Sequence, residues 1–178
     1  SSEMLRAVMI GSCDDTGAPG PDFVGGFGNV NLKKAVELVQ MQATTTGAMV
    51  QDGSAVFQIT LPTSAYRLRA TLCWNDVPAA PNAAKALVND LDLTVTTPDA
   101  TVWRPWVLNP TPHPDSLRLP AVRRRDSLNT VEQVTIEQPA PGVYEIQVRG
   151  HAVPTGNQSF ALALHWDTLQ HFDWTCPL

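Results

Sequence analysis

Downstream of Gly47, apolar residues recur at every second position in segment after segment, and that period leaves few folds open. In "SAVFQITL", Ala55, Phe57, Ile59 and Leu61 share one side, with Val56, Gln58 and Thr60 on the other. "RLRATLCW" sets Leu68, Ala70, Leu72 and Trp74 against Arg67, Arg69, Thr71 and Cys73. "LDLTVTT" sets Leu91, Leu93 and Val95 against Asp92, Thr94 and Thr96, and "VYEIQVR" and "SFALALHW" repeat the pattern. "TVWRPWVL" and "VEQVTIEQ" fit it less cleanly. A strand that alternates buries one face, so seven or eight of them predict a mainly β chain, an antiparallel jelly-roll β-sandwich. The 15 prolines and 11 glycines punctuate it at turns such as "PDAT" and "PAPG". No helix-length segment interrupts the strands, which excludes a βαβ sheet.

The first forty-odd residues differ in kind. In "SSEMLRAVMIG", Met4, Leu5, Val8 and Met9 form a helical stripe that Gly11 stops. In "PDFVGGFGNVNLKKAVELV" a Gly-rich turn leads to Asn31, whose side-chain oxygen suits a helix N-cap. Leu32, Ala35, Val36 and Val39 then make the stripe of a second helix, over residues 32–41. Two short helices cannot form a core alone, so both stripes require a partner. "ATTTG", Ala43 to Gly47, is the expected hinge, dividing the chain into residues 1–44 and 45–178.

The net charge of −5 argues against a general nucleic-acid binder, which needs a basic face to release counterions. No apolar run approaches the roughly 20 residues that span a bilayer, so no membrane partner is expected. Cys13, Cys73 and Cys176 are an odd number without metal-ligand spacing, and their pairing, if any, stays open.

Two stretches resemble a known family. "MLRAVMIGSCDD…GPDFVGGFGNVNLKKAVEL" resembles the C-terminal end of the catalytic domain of subtilisin-like serine proteases (subtilases). "ALVNDLDLTVTTPDAT…NTVEQVTIEQPAPGVYEIQVRGHAVPTGNQSFALAL" is similar to the β-sandwich that follows that domain in secreted subtilases, and to the P domain of proprotein convertases. The likeness is weakest over residues 103–125. It implies that residues 1–44 are the helical end of an α/β catalytic domain and residues 45–178 the P-domain-like jelly roll. It also implies a secreted parent that cleaves peptide bonds with an Asp/His/Ser triad lying upstream, since no "GTS" occurs here. The expected partners are that upstream protease domain and the parent's protein substrates. The expected role is to stabilise the protease and aid substrate access.

The chain's own chemistry is consistent with an accessory part. His113, His151, His165 and His171 accompany no G-x-S-x-G elbow, so no triad is expected here. Asp90 and Asp92 are two apart at the head of a strand and project to one face. Asp76, Asp126, Asn129 and Glu132 supply further oxygens from loops and a strand start. Converging at one end of the sandwich, these six are the candidate ligands of a hard cation such as Ca²⁺, which takes six to eight oxygens and which some subtilase sandwiches bind. The competing reading is that they cap turns and strand ends. Arg123 to Arg125 read as a solvated loop or a contact to an acidic surface. Trp103 and Trp106 read as core filling or as a platform for sugar or peptide. Asn157 opens an N-glycosylation sequon. The alternative function is therefore a stand-alone binding module for carbohydrate or peptide, whose first forty residues pack onto the sandwich. The accessory reading predicts instead that Leu5, Val8, Leu32, Val36 and Val39 are uncovered.

Overall fold

Two four-stranded antiparallel sheets enclose one hydrophobic core in the computed structural model, which describes residues 1–168. The elements run α1 (Ser2–Gly11), β1 (Cys13–Asp14), β2 (Asn29–Val30), α2 (Leu32–Gln40), β3 (Thr44–Met49), β4 (Ser54–Leu61), β5 (Ala65–Trp74) and β6 (Asp90–Thr96). Then come β7 (Val102–Trp103), β8 (Trp106–Val107), α3 (Pro114–Leu117), β9 (Val122–Arg123), β10 (Val131–Glu137), β11 (Gly142–Ala152) and β12 (Gln158–Thr168). One large sheet has the order β10-β5-β12-β3, the other β4-β11-β6-β7. The pairs β1-β2 and β8-β9 form small ribbons.

Period-two alternation places the core as the sequence predicts. Leu68, Leu72 and Trp74 of β5 and Phe160 and Leu162 of β12 meet Leu91, Leu93 and Val95 of β6 and Ile146 and Val148 of β11. Strand β4, at a sheet edge, keeps one wet face, and Val56, Gln58 and Thr60 lie on it. Strand β11 carries a register shift between Gly150 and Ala152. Gly150 is required there, because a Cβ would collide with the carbonyl of Val50.

Strands β5 and β12 depart from the expected pattern: both of their faces are buried. Helix α1 lies across the outer face of their sheet, and α2 packs beside it. The small side chains of Ala161 and Ala163 let the helices approach, and with Ala7, Leu38 and Cys73 they form a second apolar cluster. The body thus has three layers, helices on sheet on sheet. Polar residues that alternation assigns to solvent, Arg69, Thr71 and His165, lie beneath the helical layer instead, and Gln133 is buried there with them. Arg69, Thr71 and Gln133 are hydrogen-bonded locally. Arg69 Nη1 donates to the Gly11 carbonyl at 2.9 Å, placing a cation at the C-terminal end of α1 where the helix dipole favours it. Gln133 Nε2 donates to Thr71 Oγ1 at 3.0 Å. From the helix side, Arg6 donates to the Trp74 carbonyl and to Thr130 Oγ1, both at 3.1 Å.

Asn31 caps α2 as its sequence position predicts, its side-chain oxygen accepting from the Lys34 amide at 3.2 Å. Lys34 Nζ then bridges Asp14 at 2.7 Å and Asp167 at 2.8 Å, tying α2 to β1 and β12. The helix ends at Gln40, one residue short of the expected span.

Candidate functional site

At the head of β6 the sequence sets Asp90 and Asp92 on the same face, and the fold brings Arg125 onto both. Arg125 Nη2 donates to Asp90 Oδ2 at 2.7 Å, and its Nε lies 2.8 Å from Asp92 Oδ1. Lys85 Nζ stands 3.3 Å from the same Asp90 oxygen, and His151 Nδ1 is 3.6 Å from Asp92 Oδ2. Glu132 enters from β10, in the opposite sheet, and its Oε2 accepts the Leu93 amide at 2.6 Å. Burial pushes the Glu132 carboxyl well above its ordinary pKa. The Leu93 hydrogen bond opposes that shift, and the charges of Asp92, Asp126 and Asp90 add to it. Asp90 Oδ1, Asp92 Oδ1 and Glu132 Oε1 are buried without a hydrogen-bond partner; the hydrogen bond from Arg125 Nε goes to Asp92 Oδ2 at 3.1 Å.

The other expected ligands are engaged in turns. Asp76 accepts the amides of Val77, Val88 and Asn89 at 2.9, 2.6 and 2.9 Å, closing the loop before β6. Asp126 accepts the Leu128 and Asn129 amides, and the Asn129 side chain donates back to Asp126 Oδ2 at 2.6 Å. Of the six, Asp90 and Asp92 share Arg125 at the β6 head, and Glu132 lies close enough to feel the charges of Asp92, Asp126 and Asp90. Asp76, Asp126 and Asn129 do what short polar side chains do at turns. No group of three His, Cys, Asp or Glu side chains among the described residues is arranged to hold a metal ion.

Sequence reasoning treated Arg123 to Arg125 as one basic run; the fold gives each a separate task. Arg123 stacks between two indoles, 4.5 Å from the Trp103 ring centre and 3.9 Å from that of Trp106. Its guanidinium also donates to the carbonyls of Arg104 and Thr135, and burial brings its pKa down to about 10. Trp106 Nε1 donates to Thr135 Oγ1 at 2.8 Å. Arg124 stays exposed and reaches the Leu108 carbonyl.

Beside Trp106 a cavity of about 600 Å³ opens, walled by Phe23, Phe27, Leu108, Pro112 and Leu117. On the helical layer, Leu5, Leu32, Val36 and Val39 are 65%, 69%, 53% and 59% exposed, whereas Val8, expected with them, is buried at 7%.

Among the described residues no serine hydroxyl is hydrogen-bonded to a histidine. His113 caps the short α3, and His165 is buried with its Nδ1 3.7 Å from Asp167. His171 and Cys176 lie outside the described residues. Cys13 and Cys73 are buried free thiols, and burial pushes the Cys73 thiol up to about 12. Asn157 is exposed in the turn between β11 and β12. No helix among the described residues is long and apolar enough to cross a membrane.

No family model matches the chain. Over 115 residues, 62% of its length, it is 35% identical to the serine protease/ABC transporter B family protein tagB of Dictyostelium discoideum. The aligned stretch spans only 6% of that relative's length. Among solved structures it is similar to Bacillus licheniformis lipase BlEst2 in propeptide form, with a TM-score of 0.41, 9% identity, and coverage of 71% of this chain and 22% of that one. It is also similar to the pre-peptidase C-terminal domain of a Bacillus anthracis collagenase, with a TM-score of 0.37, 11% identity, and coverage of 68% and 87%. Likenesses at this level establish neither family nor function.

Proposed function

We propose that this chain is the C-terminal accessory part of a secreted subtilisin-like serine endopeptidase, and that it stabilises the upstream catalytic domain. The observation that carries the reading is the helical layer's outer surface. Its inner side is bonded to the sheet, while Leu32, Val36 and Val39 make an apolar stripe open to water along α2, and Leu5 of α1 is exposed as well. Covered by a catalytic domain, that row makes residues 1–44 the joint between protease and sandwich and residues 45–178 the sandwich proper. The resemblance of both segments to subtilases and the 35% identity to a short stretch of a protein named serine protease/ABC transporter B support the reading. The strand orders support a jelly roll for the sandwich. Numbered first to eighth along the chain, the strands of the two large sheets run sixth-third-eighth-first and second-seventh-fourth-fifth, the interleaving of two Greek keys. The chain contributes no triad, and peptide-bond cleavage belongs to the parent. Binding to the folded protease alone stabilises it by mass action.

The test is a Leu32→Asp/Val36→Asp variant made both in this chain and in the longer protein encoded with it. The expected result is faster thermal inactivation of peptidase activity in the longer protein, with the unfolding midpoint of the chain alone unchanged. Equal inactivation rates for wild type and variant contradict the proposal.

One observation favours the alternative of a peptide- or sugar-binding module: the cavity beside Trp106 is roomy enough for a ligand. Tryptophan quenching by a soluble glycan or peptide, abolished in Trp106→Ala, is its readout.

A further inference from the structure

Arg69 is a cation buried on the outer face of β5, 2% exposed, opposite Thr135 of β10. A buried charge is costly unless it is paired. Its Nη1 donates to the Gly11 carbonyl, and among the described residues its other N–H groups have no acceptor. Asp14 and Asp167, whose charges reach it, are both bridged by Lys34. Arg67, its neighbour on the same face, is joined to Glu137 at 2.6 Å. Arg123, the cross-strand partner of Trp106 in the β8-β9 ribbon, is held by indoles and carbonyls. Among the described residues it too is paired with no carboxylate. Loss of water lowers the pKa of both Arg69 and Arg123.

These two guanidiniums line one cavity of about 40 Å³, together with Arg67, Glu137, Asp15 and Trp106. Arg67 and Glu137 neutralise each other. Asp15 is exposed and accepts the Gly20 amide at 2.8 Å, so two cations face a single acid that is already engaged. We propose that this cavity binds one monovalent anion of chloride size between Arg69 and Arg123, fixing the β8-β9 ribbon to the outer face of β5. One such ion leaves three guanidiniums balanced by two carboxylates and the anion. The volume has room for one or two water-sized groups, which suits a halide and excludes an anion with an organic body. The loop that carries Asp15 closes tightly on this side: a Cβ at Gly20 would come within 2.8 Å of the Trp106 ring. The inference rests on these side chains alone and stands whatever the parent protein does.

The test uses the chain dialysed into sodium gluconate, whose anion is too large to enter. Exchanging gluconate for chloride at a constant ionic strength of about 0.15 M is expected to raise the unfolding midpoint by about 2 °C or more. Bromide, which quenches a neighbouring indole, is expected to quench tryptophan fluorescence in part with saturation, and chloride to reverse that part. Equal midpoints in the two salts, or quenching that rises linearly and ignores chloride, mean that the cavity holds only water and overturn the proposal. Arg69→Met removes the buried cation and is expected to abolish the difference between chloride and gluconate; a difference that persists overturns it. Should Arg69→Met not fold, Arg123→Gln removes the other cation and is read by the same two midpoints.

Discussion

Glu132 of β10 accepts the amide of Leu93 in β6 at 2.6 Å, so one buried carboxyl joins the two sheets through a backbone hydrogen bond. The amide is no ladder partner of β10, since β10 pairs with β5 and β6 with β11. Glu132→Ala leaves a buried N–H without an acceptor and is expected to cost about 1–3 kcal/mol, read as a lowered unfolding midpoint.

The same residue sets a pH dependence with a definite sign. Its folded pKa is raised, so the neutral form is favoured in the native state. Its contribution is complete below the ordinary value of 4.5, declines as pH rises above that, and is gone once pH passes the folded pKa. Glu132→Gln mimics the neutral acid and keeps the acceptor. The stability difference between Glu132→Gln and wild type is therefore expected to move in the variant's favour as pH rises from 4.5, measured by denaturant titration. A difference independent of pH contradicts this account of the site.

The helical layer is integral to the body, and Leu38 shows why. It is fully buried in the cluster between α2 and the sheet, whereas Val36, two residues earlier, faces water. Leu38→Ala is expected to cost about 2–5 kcal/mol in the isolated chain. Val36→Ala is expected to stay within about 0.5 kcal/mol. Equal effects mean that the helices are not seated on this sheet.

Adjacent arginines are expected to differ in the same way. Arg123→Lys removes a planar cation from between two indoles, an interaction worth about 0.5–2 kcal/mol. It also changes the near-ultraviolet circular dichroism of Trp103 and Trp106. Arg124→Lys, at an exposed position, leaves both signal and stability unchanged.

The strands were legible because alternation is a local consequence of one-sided burial, and Leu68, Leu72, Ile146 and Val148 lie in the core where it placed them. The same rule misassigned Arg69, Thr71 and His165 to solvent. Period two separates faces; it does not say whether a helix covers the second one. Asn31 was readable as a cap because capping needs only the next three residues. The acids were readable as a group near β6, yet Asp90 and Asp92 find Arg125 more than thirty residues away, a pairing that no spacing rule reports. Nor does sequence distinguish Val8, which is buried, from Leu5, turned to water, without the direction from which the rest of the fold meets α1.

Hydrogen exchange of α2, compared between this chain alone and the longer protein encoded with it, tests the central claim most directly. Residues 32–41 carry Leu32, Val36 and Val39 on their open side. The accessory reading predicts slower exchange across them when the upstream domain is present, with the core strands β5 and β12 exchanging equally slowly in both. Equal exchange at α2 in the two proteins would contradict it.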